Sequence, residues 1–470
     1  MMKKAFTAIV LAAGQGTRMK SPLPKVLHPV AGIPMISRVI GALKEAGATE
    51  IRVVVGHSEE LVRRVVEPLG AICFRQTEQK GTADAVKAAE PEDIQGPVLI
   101  VNGDHPLITA QDVLDIFEDF HAGRTDLSVV TANVKNPKSL GRIVRSGGEL
   151  QAIVEAKDAS AETLKIKEIN VAIYVMMAEI LSEFLPQINS NNAQKEFYLT
   201  DIVALAKDAG KNVGTITVKK HVAHGVNSQA ELAQASRFAF HRKATQLMDS
   251  GVVFIDPKNC YVEESVEIGE ASVIYPGVYL RGTTKLGKFC MIEPHAVITD
   301  SQLSDSVRVL VGSCIEGTVM KNHSEAGPYA RLRPGTVVGE EAKIGNFVEM
   351  KNTHFHKGAK AGHLTYLGDA EVGENTNIGC GTITCNYAVD RKKYKTIIGK
   401  DVFVGSDTQF VAPITIGDHA VVASGSTITK DVPASALAVA RGKQFIKENY
   451  KPKGTSAPLK DKEPSSDQGQ

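Results

Sequence analysis

Apolar positions in the first half of the chain form short runs that alternate with stretches of helical spacing. The runs cover residues 5–13, 51–55, 71–74 and 97–101. Between them, residues 34–46 and 59–69 repeat apolar side chains with the period of a helix. This alternation predicts parallel βαβ units, whose ligands bind beyond the carboxyl ends of the strands. We therefore expect a Rossmann-like α/β domain.

The second half has a different rhythm, because its aliphatic residues recur every six positions, a period of neither helix nor alternating strand. These residues are Val262, Ile268, Ile274, Leu280, Leu286, Ile292, Ile298, Leu303, Val309, Ile315, Leu332, Val338, Ile344, Met350, Val372, Ile378, Ile398, Val404, Phe410, Ile416, Val422 and Ile428. Hexapeptide repeats predict a parallel β-helix with the aliphatic side chains stacked inside. We expect interruptions at 315–332 and 378–398, on a binding face.

A helix separates the two patterns. Ser228 and Glu231 have the spacing of a capping box, and the helical pattern then continues to Gly251. About twenty helical residues would span about 30 Å, enough to hold two domains apart. We predict an α/β domain at 1–227, a linker helix at 228–250, a β-helix at 251–445 and a disordered tail at 446–470. The tail is rich in Lys, Pro, Ser and Gly and has too few apolar residues to order itself.

Composition and charge exclude several classes of partner. The formal net charge of the 470 residues is +1, which gives no electrostatic footprint for nucleic acid or an anionic membrane. The six cysteines are scattered without a CxxC pair, as expected for free thiols in a reducing compartment. The basic start of the chain resembles a secretory signal, but the apolar run after it continues into a strand and loop. We expect a soluble cytoplasmic protein without nucleic-acid partners or membrane insertion.

A glycine-rich loop follows the first apolar run. Gly14 and Gly16 can let backbone N–H groups approach a phosphate, and Arg18 and Lys25 add positive charge for a triphosphate. Met19 stands where a dinucleotide fingerprint needs its third glycine, and the spacing of the ATPase phosphate loop is absent. The loop therefore predicts a nucleoside triphosphate site of another kind.

Polar residues also follow the later strands of this half. Gln76, Gly81 and Thr82 come after the third run, and Asn102, Gly103 and Asp104 come after the fourth. A carboxylate at a strand end beside a phosphate loop suits Mg²⁺, which prefers oxygen ligands.

The glycine loop with Arg18 and Lys25 closely resembles the signature of the sugar-nucleotide pyrophosphorylases. Together with the later motifs, it looks like the first domain of the family of bifunctional N-acetylglucosamine-1-phosphate uridylyltransferases/glucosamine-1-phosphate acetyltransferases. The resemblance implies that residues 1–227 bind UTP and UDP-N-acetylglucosamine through Leu11, Ala12, Ala13, Gly14, Lys25, Gln76, Gly81, Thr82, Asn102, Gly103, Asp104, Gly141, Glu155, Asn170 and Asn227. It assigns Asp104 and Asn227 to Mg²⁺, and charge stabilisation to Lys25 and Arg18. His105 departs from the family, which often has an apolar residue there; we expect little consequence, because His105 need not face the metal.

The hexapeptide half resembles the left-handed β-helix acyltransferases, which are generally trimers with acyl-CoA sites between subunits. Around His363, the segment 362–369 resembles the acetyltransferase half of the same bifunctional family. The resemblance implies that His363 takes a proton from the sugar amine. It assigns Arg333, Lys351, Tyr366 and Asn377 to glucosamine 1-phosphate, and Cys380, Asn386, Tyr387, Ser406, Ser424 and Arg441 to acetyl-CoA.

Two functions remain to be distinguished. In the first, both halves are catalytic, and the chain makes UDP-N-acetylglucosamine, a precursor of peptidoglycan and lipopolysaccharide, with UTP and acetyl-CoA as co-substrates. In the second, the first domain is a sugar-phosphate nucleotidyltransferase and the β-helix is structural or regulatory, as in ADP-glucose pyrophosphorylases. His363 and the residues around it favour the first function, because a structural solenoid has no need of them.

Overall fold

The structure, a computed structural model, describes residues 5–192 and 194–450. The basic start of the chain, residues 1–4, and residues 451–470 of the predicted tail lie outside the described residues. Residues 446–450 are exposed and belong to no helix or strand.

The first domain is built on a mixed sheet. Its strands are β1 (Phe6–Leu11), β2 (Pro29–Val30), β3 (Ile33–Pro34), β4 (Ala48–Val55), β5 (Ile72–Arg75), β6 (Pro97–Asn102), β7 (Leu127–Asn133), β8 (Arg142–Ser146), β9 (Glu149–Val154), β10 (Glu168–Met177) and β11 (Val213–Thr217). The order in the main sheet is β11-β7-β10-β6-β1-β4-β5; β8 and β9 form a hairpin beside β10, and β2 and β3 form a separate ribbon. β1 runs parallel to β4 and β6, whereas β10 is antiparallel to its neighbours. The carboxyl ends of β1 and β6 therefore meet at one edge.

Helices cover both faces of this sheet. They are α1 (Met35–Ala46), α2 (Glu59–Val66), α3 (Thr82–Ala88), α4 (Ala110–Ala122), α5 (Ala178–Phe184), α6 (Asp201–Asp208) and, beyond the sheet, α7 (Gln229–Asp249). Short 3₁₀ turns lie at Thr17–Met19, Lys25–Leu27, Glu67–Leu69, Pro91–Asp93, Thr163–Lys165, Leu185–Gln187 and Pro257–Asn259. Along β1, Ala8 and Val10 pack with α1, α2 and α4, whereas Ile9 packs with α3, α5 and α6. This alternation gives the predicted α/β layers.

Helix α7 connects the two halves. The hydroxyl of Ser228 accepts a hydrogen bond from the Glu231 N–H, as the capping pattern predicts. Ala235 and Ala239 pack against the first domain, whereas Ala244 and Leu247 join the core of the second. The 21 residues of the helix extend over about 30 Å.

The second half is a parallel β-helix, in agreement with the hexapeptide pattern. Two of its sides share a 19-stranded sheet. The strands of that sheet are Val253–Phe254, Tyr261–Val262, Val273–Ile274, Tyr279–Arg281, Met291–Ile292, Val297–Thr299, Arg308–Val309, Cys314–Glu316, Glu325–Ala326, Arg331–Leu332, Lys343–Lys351, Lys360–Gly368, Asn377–Ile378, Ile383–Cys385, Phe403–Val404, Gln409–Val411, Val421–Val422, Thr427–Ile428 and Leu437–Ala438. A nine-stranded sheet forms the third side, with strands Glu267–Ile268, Lys285–Leu286, Gln302–Leu303, Val319–Met320, Val337–Val338, His354–Phe355, Ala370–Val372, Thr396–Ile398 and Ile414–Ile416.

The predicted interruption between Ile315 and Leu332 is wrong. Strands Val319–Met320 and Glu325–Ala326 continue the ladders through it, and the side chains of Met320 and Ala326 are fully buried in the core. The sequence pattern missed them because Met320 lies five rather than six positions after Ile315, and Ala326 is a small residue. The second interruption is narrower than predicted, since Ile383–Cys385 keeps its place and the chain leaves the ladder only at residues 386–395.

No helix within the described part of the chain is both long and apolar enough to cross a bilayer.

Candidate active sites

The glycine loop opens into a cavity of about 490 Å³ at the carboxyl ends of β1 and β6. Leu11 pairs with Asn102 in the sheet, and the Gly103 N–H donates to the Leu11 carbonyl, so the two motifs lie side by side. The predicted residues that line the cavity are Leu11, Ala12, Ala13, Gly14, Arg18, Lys25, Gln76, Gly81, Thr82, Asn102, Asp104 and Asn227. The structure therefore gathers most of the predicted nucleotide site in one place.

Two glycines at this cavity are required by close packing. Gly16 has a left-handed φ of 63°, and a Cβ there would lie 2.6 Å from the Cβ of Lys25. Gly81 has φ 126°, and a Cβ would lie 2.5 Å from the Phe197 carbonyl oxygen. A larger residue would displace Lys25 at the first position and the backbone of Phe197 at the second.

Lys25 joins the two predicted metal ligands. Its ammonium lies 2.5 Å from Oδ2 of Asp104 and 3.1 Å from Oδ1 of Asn227. The guanidinium of Arg18 donates to the same Asn227 oxygen over 2.8 Å. Four residues from three separate parts of the sequence thus form one polar cluster in the cavity lining.

The electrostatics of Asp104 suit a cation. Burial alone would raise its pKa, but the positive charge of Lys25, with the His105 ring beside it, holds the pKa below its ordinary value. Its Oδ1 is buried and accepts no hydrogen bond from residues 5–192 or 194–450. A buried carboxylate oxygen without a donor, next to an amide oxygen, fits a divalent cation. Over the same residues, no group of three or more His, Cys, Asp or Glu side chains is arranged to hold a metal ion.

Gly103, Gly141, Glu155 and Asn170 do not line this cavity. A Cβ at Gly103 would lie 3.2 Å from a methyl group of Val26, so this glycine faces the packed interior. The other three lie together, because the Asn170 N–H donates to the Gly141 carbonyl and Gly141 lies against the Glu155 carboxylate. They form a polar cluster outside the cavity lining, although residues 138–140 and 171–172, next to them in the sequence, do line the cavity.

Sequence reasoning missed Lys138 and Glu231, which border the cavity. The Lys138 ammonium donates to one Glu231 oxygen over 3.0 Å, and the other oxygen accepts the Asn227 N–H over 2.9 Å. Glu231 thereby fixes the backbone of a predicted metal ligand. The capping pattern identified Glu231 only as a helix-start residue, and nothing in the sequence pairs it with Lys138, 93 positions away.

We expect Glu155→Gln to stabilise the free protein at neutral pH while weakening sugar binding. Burial, with Asp158, Asp201 and Glu196 nearby, raises the pKa of Glu155. The folded state then binds a proton more tightly than the unfolded state, so stability falls as pH rises from the unfolded pKa through the folded pKa. Glutamine carries no charge, so the substitution removes the free-energy cost of burying the Glu155 carboxylate.

The same change removes a charged hydrogen-bond acceptor, so the KM for N-acetylglucosamine 1-phosphate should rise about tenfold. Urea denaturation at pH 5 and pH 8, with pyrophosphate-release kinetics, measures both effects. A variant that is less stable than the wild type at pH 8 would contradict the expectation.

On the β-helix, His363 lies at an exposed corner and contacts a residue that the sequence did not indicate. Its Nδ1 is 2.7 Å from Oδ1 of Asn346, which occupies the same position one coil earlier, 17 residues away. Because an amide oxygen only accepts, Nδ1 carries the proton, and Nε2 is left as the basic nitrogen. The 17-residue offset was the signal that could have identified Asn346.

The structure also places Arg333 and Lys351 with a third cation. The ammonium of Lys393 lies against Lys351, and this repulsion, with Arg333 nearby, lowers the pKa of Lys351. Arg333 is partly neutralised by Glu349, 2.9 Å away. Clustered cations of this kind suit a phosphate. Lys393 belongs to the loop at 386–395, whose contacts the sequence did not reveal.

The remaining acetyl-transfer candidates fall into two groups. Tyr366 and Asn386 meet at Gly368, which is paired with Lys351. The Asn386 amide donates to Asp369 over 2.6 Å, and Tyr387 is exposed next to it. These residues lie on one side of the β-helix with Arg333 and Lys351.

The second group follows the corner of His363. Successive ladder pairings place Cys380, Ser406 and Ser424 at the same corner position on the following coils, and Arg441 donates to the Ser424 carbonyl over 2.8 Å. Asn377 lies on the side of the β-helix that precedes this corner along the chain, whereas Tyr366 lies on the side that follows the corner. One chain alone therefore does not bring Asn377 to the group around Lys351.

Alkylation of Cys380 is expected to inhibit acetyl transfer and to spare uridylyl transfer. All six cysteines are free thiols, and Cys380 is exposed one coil from His363. An alkyl group there would obstruct the corner that His363 shares with Ser406. Thiol-release assays after treatment with N-ethylmaleimide measure the loss.

The matched controls are Cys380→Ala, which should resist the reagent, and Cys385→Ala, which should remain sensitive because it keeps Cys380. Acetyl-CoA should protect the wild type. Inhibition of Cys380→Ala as strong as that of the wild type would contradict the assignment.

Comparison with known proteins supports the interpretation of both domains. Residues 8–166 match the model of the MobA-like NTP transferase domain, and residues 395–430 match the bacterial transferase hexapeptide model of six repeats. The bifunctional protein GlmU of Bdellovibrio bacteriovorus is 62% identical, and the match covers 95% of this chain and 98% of that protein. The bifunctional GlmU proteins of Syntrophotalea carbinolica and Pelobacter propionicus are 47% and 44% identical, over 96% and 94% of this chain and 98% and 97% of their own lengths.

With a nucleotidyltransferase-like sheet domain, a hexapeptide β-helix and relatives that match nearly end to end, the chain belongs to the family of bifunctional GlmU proteins and is a two-activity transferase.

Proposed function

We propose that the chain makes UDP-N-acetylglucosamine in two steps. The β-helix at residues 251–445 acetylates glucosamine 1-phosphate with acetyl-CoA. The domain at residues 1–227 then transfers a uridylyl group from UTP to N-acetylglucosamine 1-phosphate, with release of pyrophosphate. The observation that carries the proposal is that two separate polar centres, the Lys25 cluster and the His363 corner, belong to the two different domains that α7 connects.

Uridylyl transfer at the first centre is an in-line displacement. A phosphate oxygen of the sugar phosphate attacks the α-phosphorus of UTP, the new P–O bond forms, and the bond to pyrophosphate breaks. Lys25 and Arg18 stabilise the charge that develops on the phosphates, and the amides at Gly14 and Gly16 hold them in position. Oxygens of Asp104 and Asn227 would hold Mg²⁺, which neutralises phosphate charge when bound. No side-chain nucleophile is needed.

Recognition of the base and the sugar is divided between two clusters. The Gln76 amide nitrogen donates to the Gly81 carbonyl over 3.3 Å and to the Asp84 carboxylate over 2.7 Å. These two hydrogen bonds fix the plane of the amide, so that it can read the uracil edge. The cluster of Gly141, Glu155 and Asn170 holds the N-acetylglucosamine. Thr82 and Asn102 also line the cavity that would hold the nucleotide.

Acetyl transfer at the second centre uses His363 as general base. The sugar amine attacks the thioester carbon, a C–N bond forms, the C–S bond breaks, and Nε2 of His363 accepts the amine proton. Asn346 holds the ring in the required tautomer. Arg333 and Lys351 bind the sugar phosphate with Tyr366 and Asn377, while Asn386, Tyr387, Cys380, Ser406, Ser424 and Arg441 contact acetyl-CoA.

We further propose a homotrimer built through the β-helix. The support is that Asn377 and the group around Lys351 face different sides of one chain, so a neighbouring subunit would complete the set. Sedimentation of the full chain tests this assembly, and a monomer with full acetyltransferase activity would contradict it.

Two assays on the wild-type protein test the function. One follows thiol release from acetyl-CoA with glucosamine 1-phosphate, and the other follows pyrophosphate release from UTP with N-acetylglucosamine 1-phosphate and Mg²⁺. We expect both activities. Pyrophosphate release without thiol release would favour the alternative function, in which the β-helix is structural or regulatory.

A further inference from the structure

His105 is a buried histidine beside the proposed cation ligands. Only 5% of its surface is exposed, and it borders the nucleotide cavity. Its Nδ1 lies 3.1 Å from the carbonyl oxygen of Val222. Since a carbonyl oxygen can only accept, Nδ1 carries a hydrogen and donates it there. The other ring nitrogen, Nε2, is then the one available to a ligand.

Nε2 of His105 points toward the buried carboxylate. It lies 3.6 Å from Oδ1 of Asp104, beyond hydrogen-bond range, and this is the oxygen that accepts no hydrogen bond from the described residues. Two donor atoms bound to one ion through bonds of about 2.1 Å lie about 3 to 4 Å apart. The separation of Nε2 and Oδ1 falls within that interval.

The segment that carries Asn227 also packs against this nitrogen. A Cβ at Gly225 would lie 3.2 Å from Nε2 of His105 and 3.9 Å from Nδ2 of Asn227. The hydrogen bond to Val222 ties the ring to the same segment. Nε2 of His105 therefore lies close to the Asp104 carboxylate and to the segment that carries Asn227, and a side chain at position 225 would crowd it.

We propose that His105 is a third protein ligand of the divalent cation, and that the site consequently prefers a first-row transition-metal ion such as Mn²⁺ to Mg²⁺. The inference rests on the proposed nucleotidyl transfer at this cavity. Imidazole nitrogen is a good ligand for transition metals, whereas Mg²⁺ is bound almost entirely by oxygen. A histidine that binds a metal through one nitrogen usually donates its other N–H to a carbonyl or carboxylate. His105 already has this arrangement.

The decisive measurement is electron spin echo envelope modulation of Mn²⁺ bound to the full chain with the product UDP-N-acetylglucosamine. Protein labelled with ¹⁵N-histidine is compared with unlabelled protein. We expect nitrogen modulation from the bound Mn²⁺ whose frequencies change on labelling. Bound Mn²⁺ without histidine modulation would overturn the proposal, because His105 would then not be a ligand.

Variants provide an independent readout of the same contact. In His105→Val, Mn²⁺ should still bind with the product, but the histidine modulation should vanish and the ratio of Mn²⁺ to Mg²⁺ affinity should fall about tenfold. The control His241→Ala changes an exposed histidine on α7 and should keep the modulation. An unchanged affinity ratio in His105→Val would overturn the proposal.

If the cavity is not a uridylyl-transfer site at all, the metal-binding experiments give a different result. If neither Mn²⁺ nor Mg²⁺ binds to the wild-type protein in the presence of UDP-N-acetylglucosamine, the cavity is not the proposed uridylyl site, and the role of His105 falls with it. Product-dependent binding of Mg²⁺ with no binding of Mn²⁺ would contradict only the preference that we assign to His105.

Discussion

Replacement of His363 by alanine is expected to reduce thiol release from acetyl-CoA by a factor of about 10²–10⁴, while pyrophosphate release from UTP stays unchanged. The reduction is the usual contribution of a positioned general base. With Nδ1 held by Asn346, Nε2 of His363 is the nitrogen that would take the amine proton. The uridylyl centre is spared because the Lys25 cluster belongs to the first domain, whereas His363 lies on the β-helix.

The matched control for this variant is His356→Ala. His356 is also an exposed histidine of the β-helix, but it lies near Glu371 on another side. We expect full thiol release from that control. Asn346→Ala should give an intermediate loss, because the imidazole remains but its tautomer and orientation are no longer held. Thiol release by His363→Ala within twofold of the wild type would contradict the assignment of the base.

The second large effect is expected for Lys25→Ala, which should lower pyrophosphate release by a factor of about 10²–10³. Lys25 supplies charge toward the phosphates and is also the ion-pair partner of Asp104. Its loss leaves a buried carboxylate without that partner, so the free energy of unfolding should also fall by about 3 kcal/mol or more. Initial rates and urea denaturation, measured on the same preparation, separate the two effects.

Lys44→Ala serves as the control for Lys25→Ala. Lys44 lies on α1 and donates to the Leu69 carbonyl, away from the cavity. Its removal should leave pyrophosphate release unchanged. Under conditions in which Lys25→Ala is folded, its rate of acetyl transfer should equal that of the wild type. Pyrophosphate release near the wild-type rate would show that Lys25 does not stabilise the transferring phosphate.

The fold was largely predictable because both halves have strong periodicity. The run at residues 5–13 contains β1 (Phe6–Leu11), and the predicted helix at 228–250 contains α7 (Gln229–Asp249). The errors have identifiable causes. Met320 is buried in the β-helix but breaks the six-residue step after Ile315, and Ala326 is buried but smaller than the residues of the pattern. Burial of a small or unbranched side chain depends on its neighbours in the stack.

The candidate sites were only partly predictable. The glycine loop, Lys25 and Asp104 are contiguous motifs, and the sheet brings them together. Contacts such as Lys138 with Glu231 and His105 with Val222 join segments 93 and 117 positions apart. Such contacts follow from how loops pack over the sheet edge, which local spacing does not encode. Asn346 is an intermediate case, because its offset from His363 equals the length of one coil.

The way α7 ends against the β-helix has a consequence for how the chain is made. Ala244 and Leu247 cover the first coil, and each later coil pairs with the coil before it, for instance 17 residues earlier at His363. Each newly synthesised coil can therefore pair with a coil that the ribosome has already made, and it needs no contacts with residues synthesised later. We expect the β-helix to fold in the direction of translation, beginning at the coil that packs against α7.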